Sequence, residues 1–344
     1  MPTFIGLDLA KHVFQVHGVD AAGKVLLRKR LRRSEVTRFF AGLSPCMVGI
    51  EACGSGHHWG RELRRLGHDV RLMPPQYVRP YVKTNKHDAA DAEAICEAVQ
   101  RPSMRFVPIK EADQQAALLL HRSRELLVRQ RTMLTNAVRA HAAEFGLVVP
   151  KGIQRLPELC TLIASADPDV LPELAKSVLL TLATQIEAIK VRVLALERQL
   201  LEWHRASAAS QRLAAIPGIG PITATAIVAT VSDAARFTSG RQFAAWIGLV
   251  PKQHSSGGRE RMGGLSKRGD GYLRRLLVHG ARAVIRWQRR ANARPLPWLA
   301  SLLGRSHVNI AAAALANKNA RIAWALLTRG ETYMPAKQVL SAAQ

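Results

Sequence analysis

The stretch Thr3-Phe-Ile-Gly-Leu-Asp-Leu9 opens the chain with a short apolar run that carries one carboxylate, Asp8, in its interior. The run reads as a β-strand, and a charge inside a strand is expensive unless something pairs with it. Working outward, His12–Val19 reads as a second strand, and the turn Asp20-Ala-Ala-Gly23 leads into a third over Lys24–Leu31. Ser34 is the expected cap of a helix running to Leu43, with Glu35 in its first turn. Cys46–Ala52 then reads as a strand, His57–Leu66 as a helix, and Asp69–Met73 as a strand closed by Pro74-Pro75. The Ala-rich segment Asp88–Gln100 reads as a helix ended by Pro102. The order βββαβαβα is that of an RNase H-like (RuvC-like) α/β domain.

That topology gives the acids a meaning. Glu51 ends the fourth strand as Asp8 sits in the first, and Asp88 and Asp91 lie three apart on one helix face. In an RNase H-like sheet these positions converge at one end. Four carboxylates gathered there repel one another unless divalent cations neutralise them. Oxygen-only ligands with room for water and phosphate oxygens suit Mg²⁺, two ions being the arrangement that assists both ends of a phosphodiester cut, with Mn²⁺ as a substitute. Taken singly, each acid could cap a strand end or face solvent. Glu93 and Glu97 share part of the same helix face and are possible substitutes, whereas Asp20 and Asp69 look like ordinary turn residues.

The rest of the chain is helical. Glu111–Phe145 is one long polar stretch, broken by Pro150, Gly152 and Pro157, and a second runs over Leu171–Ala209, which suggests an antiparallel hairpin or coiled coil. Within Leu213–Val231, Ile216-Pro-Gly218-Ile-Gly220 separates two helical runs in a helix-hairpin-helix pattern. Its glycines allow a tight turn and its second helix can offer amides to a phosphate; a plain turn between packed helices fits the same residues. The segment from Gly248-Leu-Val-Pro251 to Ser266-Lys267-Arg268-Gly269 is rich in Gly, Ser, Lys and Arg. It reads as a flexible loop that moulds itself to a phosphate backbone, with Lys252, Arg259, Arg261, Lys267 and Arg268 as its cations. The expected division is a catalytic domain over 1–108, a hairpin over 109–210, a C-terminal helical domain over 211–330 and a tail over 331–344.

Composition agrees with a nucleic-acid partner. The 344 residues include 50 Lys and Arg against 25 Asp and Glu, a net charge of +25, which leaves a compact chain self-repelling until a polyanion neutralises it. The basic residues are spread along the chain rather than gathered on one amphipathic helix, which argues against a membrane surface, and no apolar run is long enough for a span. Four cysteines without CxxC spacing and an N-terminus without signal-peptide character point to the cytoplasm. Gly54-Ser-Gly56 mimics a dinucleotide turn without its spacing, adjacent His57 and His58 cannot share a helix face as zinc ligands, and Arg28–Arg33 reads as a nucleic-acid-facing edge.

The strings Ile5-Gly-Leu-Asp8-Leu-Ala-Lys, Ile50-Glu51-Ala-Cys-Gly and Lys86-His-Asp88-Ala-Ala-Asp91-Ala resemble the DEDD transposases of the IS110 insertion-sequence family. The resemblance extends over most of the chain. It implies a RuvC-like catalytic domain, donor and target DNA as substrates, an element-encoded bridge RNA as guide, and homodimers assembling into a tetramer. It also implies a serine nucleophile after the Gly-Leu-x-Pro segment. Ser256, followed by Gly257, matches that position; Ser255 precedes it, where relatives often carry an acid, and is the alternative nucleophile. Ser266 matches a separate element and suits a phosphate contact. A phosphoserine ester would conserve the energy of the cut bond for rejoining, in an active site drawn from both halves of the chain. Two other readings stay open: a hydrolytic nuclease or junction resolvase using the same carboxylates, and a non-enzymatic nucleic-acid-binding protein.

Overall fold

The structure is a computed structural model describing residues 1–83, 88–255, 258–290 and 296–334. It divides into two compact units, Met1–Gln115 and Ala116–Gln344. The long hairpin and the C-terminal helices fall in one unit.

The first unit is built on a five-stranded sheet. Strands β1 (Phe4–Asp8), β2 (Val13–Val19) and β3 (Val25–Arg32) form the antiparallel meander. Helix α1 (Val36–Ala41) leads to β4 (Met47–Glu51), which pairs parallel with β1. Helix α2 (Gly56–Arg65) leads to β5 (Asp69–Met73), α3 (Pro75–Val78) follows, and α4 (Asp88–Val99) closes the unit. The order across the sheet is β3-β2-β1-β4-β5, and alternation sorts its two faces. Ile5, Leu7, Val48 and Ile50 point toward α1 and α2 and build a core with Phe14, Phe40, Trp59 and Leu63. On the other face α4 packs through Ala92, Ile95, Cys96 and Val99.

One local expectation fails here. Ser34 does not cap the helix: a 3-10 turn over Arg33–Glu35 precedes α1, and the Glu35 carboxylate accepts from the Arg32 amide at 2.6 Å. A carboxylate three residues on reaches back to the free amide and takes the cap's place.

In the second unit, α5 (Ala112–Ala143), which begins at the end of the first, runs to α6 (Leu156–Ser165) and α7 (Glu173–Ala206). The segment joining the long helices is therefore not wholly irregular. Pro157 lies in the first turn of α6, where its missing amide is not needed, so it starts a helix rather than breaking one. Val138 and Ala142 of α5, Leu159 and Ile163 of α6, and Leu179 and Ile186 of α7 share one buried cluster. Further along, Arg124 of α5 meets Glu197 of α7 at 2.6 Å. Rising positions on one helix meet falling ones on the other, so the pair is antiparallel.

The C-terminal part holds α8 (Ala208–Ala214), α9 (Pro221–Thr230), α10 (Gly240–Ile247), the strands β6 (Pro251–Gln253) and β7 (Met262–Leu265), then α11 (Gly271–Gln288), α12 (Pro297–Arg305) and α13 (Val308–Arg329). The Gly- and Arg-rich segment after α10 is thus not simply a loop. Its flanks pair as an antiparallel hairpin, extended by the His254 amide donating to the Arg261 carbonyl at 2.8 Å. Strand pairing satisfies backbone groups that a free loop would leave to water.

Candidate active site

Parallel pairing sets Leu7 beside Ile50, so Asp8 and Glu51, one residue further on, end their strands side by side. What brings α4 to them is a pair of glycines. Gly6 and Gly49 are direct partners in the sheet, each two residues before an acid and on the same face. A Cβ on Gly6 would lie 2.1 Å from the Ala92 carbonyl oxygen and 2.4 Å from the Cys96 amide nitrogen. One on Gly49 would lie 2.8 Å from the Val99 Cβ. With no side chains in the way, the α4 backbone rests directly on β1 and β4, and its first turn lies over Asp8.

Carboxylate oxygens of Asp8, Asp88 and Asp91 accordingly come within 4.8 Å of one another. Among the described residues none of the three forms an ion pair. Asp8 is half-buried, and its carboxyl is pushed up to about 6, first by burial and then by the charges of Asp91, Asp88 and Glu51. Glu51 stands outside the tight trio but close enough to act on Asp8 electrostatically. This is a cluster that a hard divalent cation fits: the donors are all oxygens, they lie within 4.8 Å of one another, and a bound cation offsets their mutual repulsion. Glu93 and Glu97 do not join it. Glu93 takes Lys83 at 3.3 Å and Arg28 at 3.8 Å, and Glu97 pairs with Arg101. Asp20 closes its turn by accepting from the amides of Ala22 and Lys24, and Asp69 binds Arg71. His57 accepts from the Lys110 amide at 3.1 Å, a structural use of its ring.

In the second unit Gly218 stands at φ +90° between α8 and α9, and Gly220 is the N-cap of α9. The turn is packed from behind: a Cβ on Gly280 of α11 would sit 1.8 Å from the Gly218 carbonyl oxygen. Lys252 lies exposed on β6, and Arg259 and Arg261 are exposed near the hairpin tip. Ser256 and Gly257 lie outside the described residues. The neighbouring Ser255 hydroxyl accepts from the Gln253 side-chain amide at 3.1 Å. Lys267 has φ +55°, the one non-glycine residue at positive φ among those described, and it is followed by exposed Arg268. That turn is held against the end of α10, where a Cβ on Gly269 would meet the Trp246 carbonyl oxygen at 1.8 Å.

Sequence reading missed a buried polar pair. His121 of α5, 1% exposed, sits 3.0 Å from the Tyr272 hydroxyl at the start of α11, and burial drives its pKa down to about 4. A lone histidine on an otherwise mixed helix face gives no signal of this, because its partner is 151 positions away. The Gly6 and Gly49 pair did carry a signal, the shared Gly-x-acid spacing at the ends of two strands.

Comparison with known proteins places the chain among transposases. A DEDD transposase model of the IS110 type matches residues 5–146, and a model described as "Transposase IS116/IS110/IS902 family" matches residues 210–295. The chain is 53% identical over 332 residues to a "Probable family 20 transposase" of Pseudomonas aeruginosa, covering 96% of this chain and 98% of that protein. It is 43% identical to the "Transposase for insertion sequence element IS1328" of Yersinia enterocolitica, over 96% and 98% of the two chains. The "Transposase for insertion sequence element IS1111A" of Coxiella burnetii is also 43% identical, over 96% and 90%.

Proposed function

This chain belongs to the IS116/IS110/IS902 family of DEDD transposases, and on that footing we propose that it moves an insertion sequence by cutting DNA at Asp8, Glu51, Asp88 and Asp91 and rejoining it through Ser256. The observation that carries the reading is the convergence of Asp8, Asp88 and Asp91 at the end of the sheet, within 4.8 Å of one another and without an ion pair among the described residues. Mg²⁺ bound there would supply Lewis-acid stabilisation of the charge that develops on phosphate and leaving oxygens. The carboxylates orient the scissile phosphate. The Ser256 hydroxyl oxygen forms an ester bond to phosphorus while the bond to the leaving sugar oxygen breaks. The serine proton passes to water, and the leaving sugar oxygen takes a proton from water to depart as a hydroxyl. Attack by a hydroxyl of the recipient strand reverses the step and restores the serine, with no external energy source.

The wider reading has three parts. The α8–α9 turn, with Gly218 and Gly220, acts as a helix-hairpin-helix element that meets phosphates with amides, and Lys252, Arg259, Arg261, Lys267 and Arg268 meet them with charge. A bridge RNA selects donor and target DNA, an assignment that rests on family resemblance. Self-association as dimers that pair into a tetramer uses the long hairpin, supported by Leu119, Leu126 and Met133. These recur every seven residues on α5 and are 64%, 48% and 69% exposed. No helix among the described residues is long and apolar enough to cross a membrane.

The test is a denaturing gel of protein incubated with DNA carrying the element's ends and Mg²⁺. The expected result is a covalent protein–DNA adduct that disappears in Ser256→Ala and in Asp8→Asn. Normal cutting and rejoining by Ser256→Ala would sink the phosphoserine mechanism. Cutting without any adduct would favour a hydrolytic nuclease.

A further inference from the structure

The face of the sheet that carries the carboxylates also carries three arginines, all on the edge strand β3. Sheet register establishes this. Asp8 of β1 pairs with Gln15 of β2, and Gln15 pairs with Arg30 of β3. Directly paired residues project from the same face, so Asp8, Gln15 and Arg30 form one line across three strands, roughly 10 Å long at about 4.8 Å per strand. Arg28 and Arg32, two residues either side of Arg30, lie on that face too. Lys29 lies on the other, its ammonium 5.0 Å from the Phe39 ring centre. Between these arginines and α4 runs a groove of about 310 Å³, lined on the sheet side by Gln15, Arg28, Lys29 and Arg30 and on the helix side by Ala89 and Ala90 in the first turn of α4. Ala89 and Ala90 lie between Asp88 and Asp91 in the chain.

Charge makes the groove a site for a polyanion. Glu93 is its one lining acid and is shared between Arg28 and Lys83. Arg30 and Arg32 have no ion pair among the described residues. β3 is also an edge strand, and cations on an edge can serve simply to discourage pairing with another sheet. That role is indifferent to face: Lys29 and Arg30 would serve it equally. Position beside a phosphodiester-cutting centre is not indifferent.

We propose that this groove holds the sugar–phosphate backbone of the DNA strand being cut, with Arg30 as a positioning residue and Gln15 between it and the carboxylates. The proposal rests on reading Asp8, Asp88 and Asp91 as the place of cleavage.

The experiment uses the full chain and a fluorescent duplex bearing the element's end, with Asp8→Asn present so that the DNA is bound and not cut. Arg30→Gln is expected to weaken binding about five- to tenfold at about 0.1 M salt, and to lower the slope of log affinity against log salt by about 0.9, one phosphate contact. Arg30→Lys keeps the slope, and Lys24→Gln, exposed in the turn before β3 and outside the groove's lining, changes neither quantity. With Asp8 intact, Arg30→Gln raises KM for cleavage more than it lowers kcat. Equal effects of Lys24→Gln and Arg30→Gln would overturn the proposal, as would a loss confined to RNA binding. Failure of the underlying reading shows separately, as cleavage that survives Asp8→Asn.

Discussion

Replacing Gly6 by alanine adds a methyl group 2.1 Å from the Ala92 carbonyl oxygen, 2.4 Å from the Cys96 amide nitrogen and 2.8 Å from the Cys96 Cβ. Two of these are backbone atoms of α4, which cannot rotate aside as a flexible side chain would. Ordinary contact begins near 3.4 Å, so the helix must retreat by more than 1 Å. Overpacking of this kind costs about 1–3 kcal/mol, and the rigid neighbours place this case toward the upper end. For a unit of this size the melting temperature should fall by about 4–12 °C. The larger consequence is functional. Asp88 and Asp91 ride on α4, so the retreat opens the trio with Asp8. Lost support for metal ligands typically costs about 10–100-fold in affinity, and a misplacement near 1 Å about 100-fold in rate. Thermal melts and calorimetric titration with Mn²⁺ measure the two effects. Gly54→Ala, with nothing within 4 Å of its added Cβ, serves as the silent control. Gly49→Ala should be milder, because it meets side-chain atoms of Val99 and Met73. A Gly6→Ala protein with unchanged melting and unchanged Mn²⁺ affinity would refute the claim that close packing of α4 assembles the site.

The crowded carboxylates should be a burden without metal. Asp8 has its pKa raised from 3.8 to about 6, so the folded state binds more protons than the unfolded one between those values, and stability falls as pH rises through that window. Asp8→Asn should therefore raise the melting temperature at pH 7 in EDTA, by the equivalent of about 1–3 kcal/mol, while abolishing stabilisation by added Mg²⁺; a drop in melting temperature would contradict this. His121 behaves in the opposite sense. Its pKa is lowered from 6.5 to about 4 by burial, so the neutral ring contributes fully above 6.5 and stability is lost as pH falls from 6.5 to 4. Denaturant melts of His121→Gln should show a flatter profile across that window, and an unchanged profile would remove His121 as the cause.

Much of the first unit is legible in the chain itself. Its strands are short runs with a two-residue period, its turns carry Asp and Gly, and local chemistry of that kind does not depend on distant partners. The misreadings have a common cause. Ser34 looks like a cap until a 3-10 turn takes up Arg33–Glu35, with the Glu35 carboxylate accepting from the Arg32 amide. Pro157 looks like a breaker until it falls in a first turn, where a proline costs nothing. The Gly-rich segment after α10 looks like a loop, because Gly and Ser give no strand signal, yet its two flanks pair across the intervening residues. In each case the residue's place in the folded element, not its type, decided the outcome.

By itself the sequence determined the charge, the order of elements in the first unit, the family and the four acids worth watching. These follow from residue type and spacing, which are written along the chain. Only the tertiary structure decided that Asp8, Asp88 and Asp91 form the tight trio while Glu51 stands just outside it, that Glu93 and Glu97 are spent on arginines and a lysine, and that Arg30 shares a row with Asp8 while Lys29 does not. Those outcomes turn on ångström-scale distances between elements. Such distances are set by what packs between them, here by the absence of two methyl groups at Gly6 and Gly49.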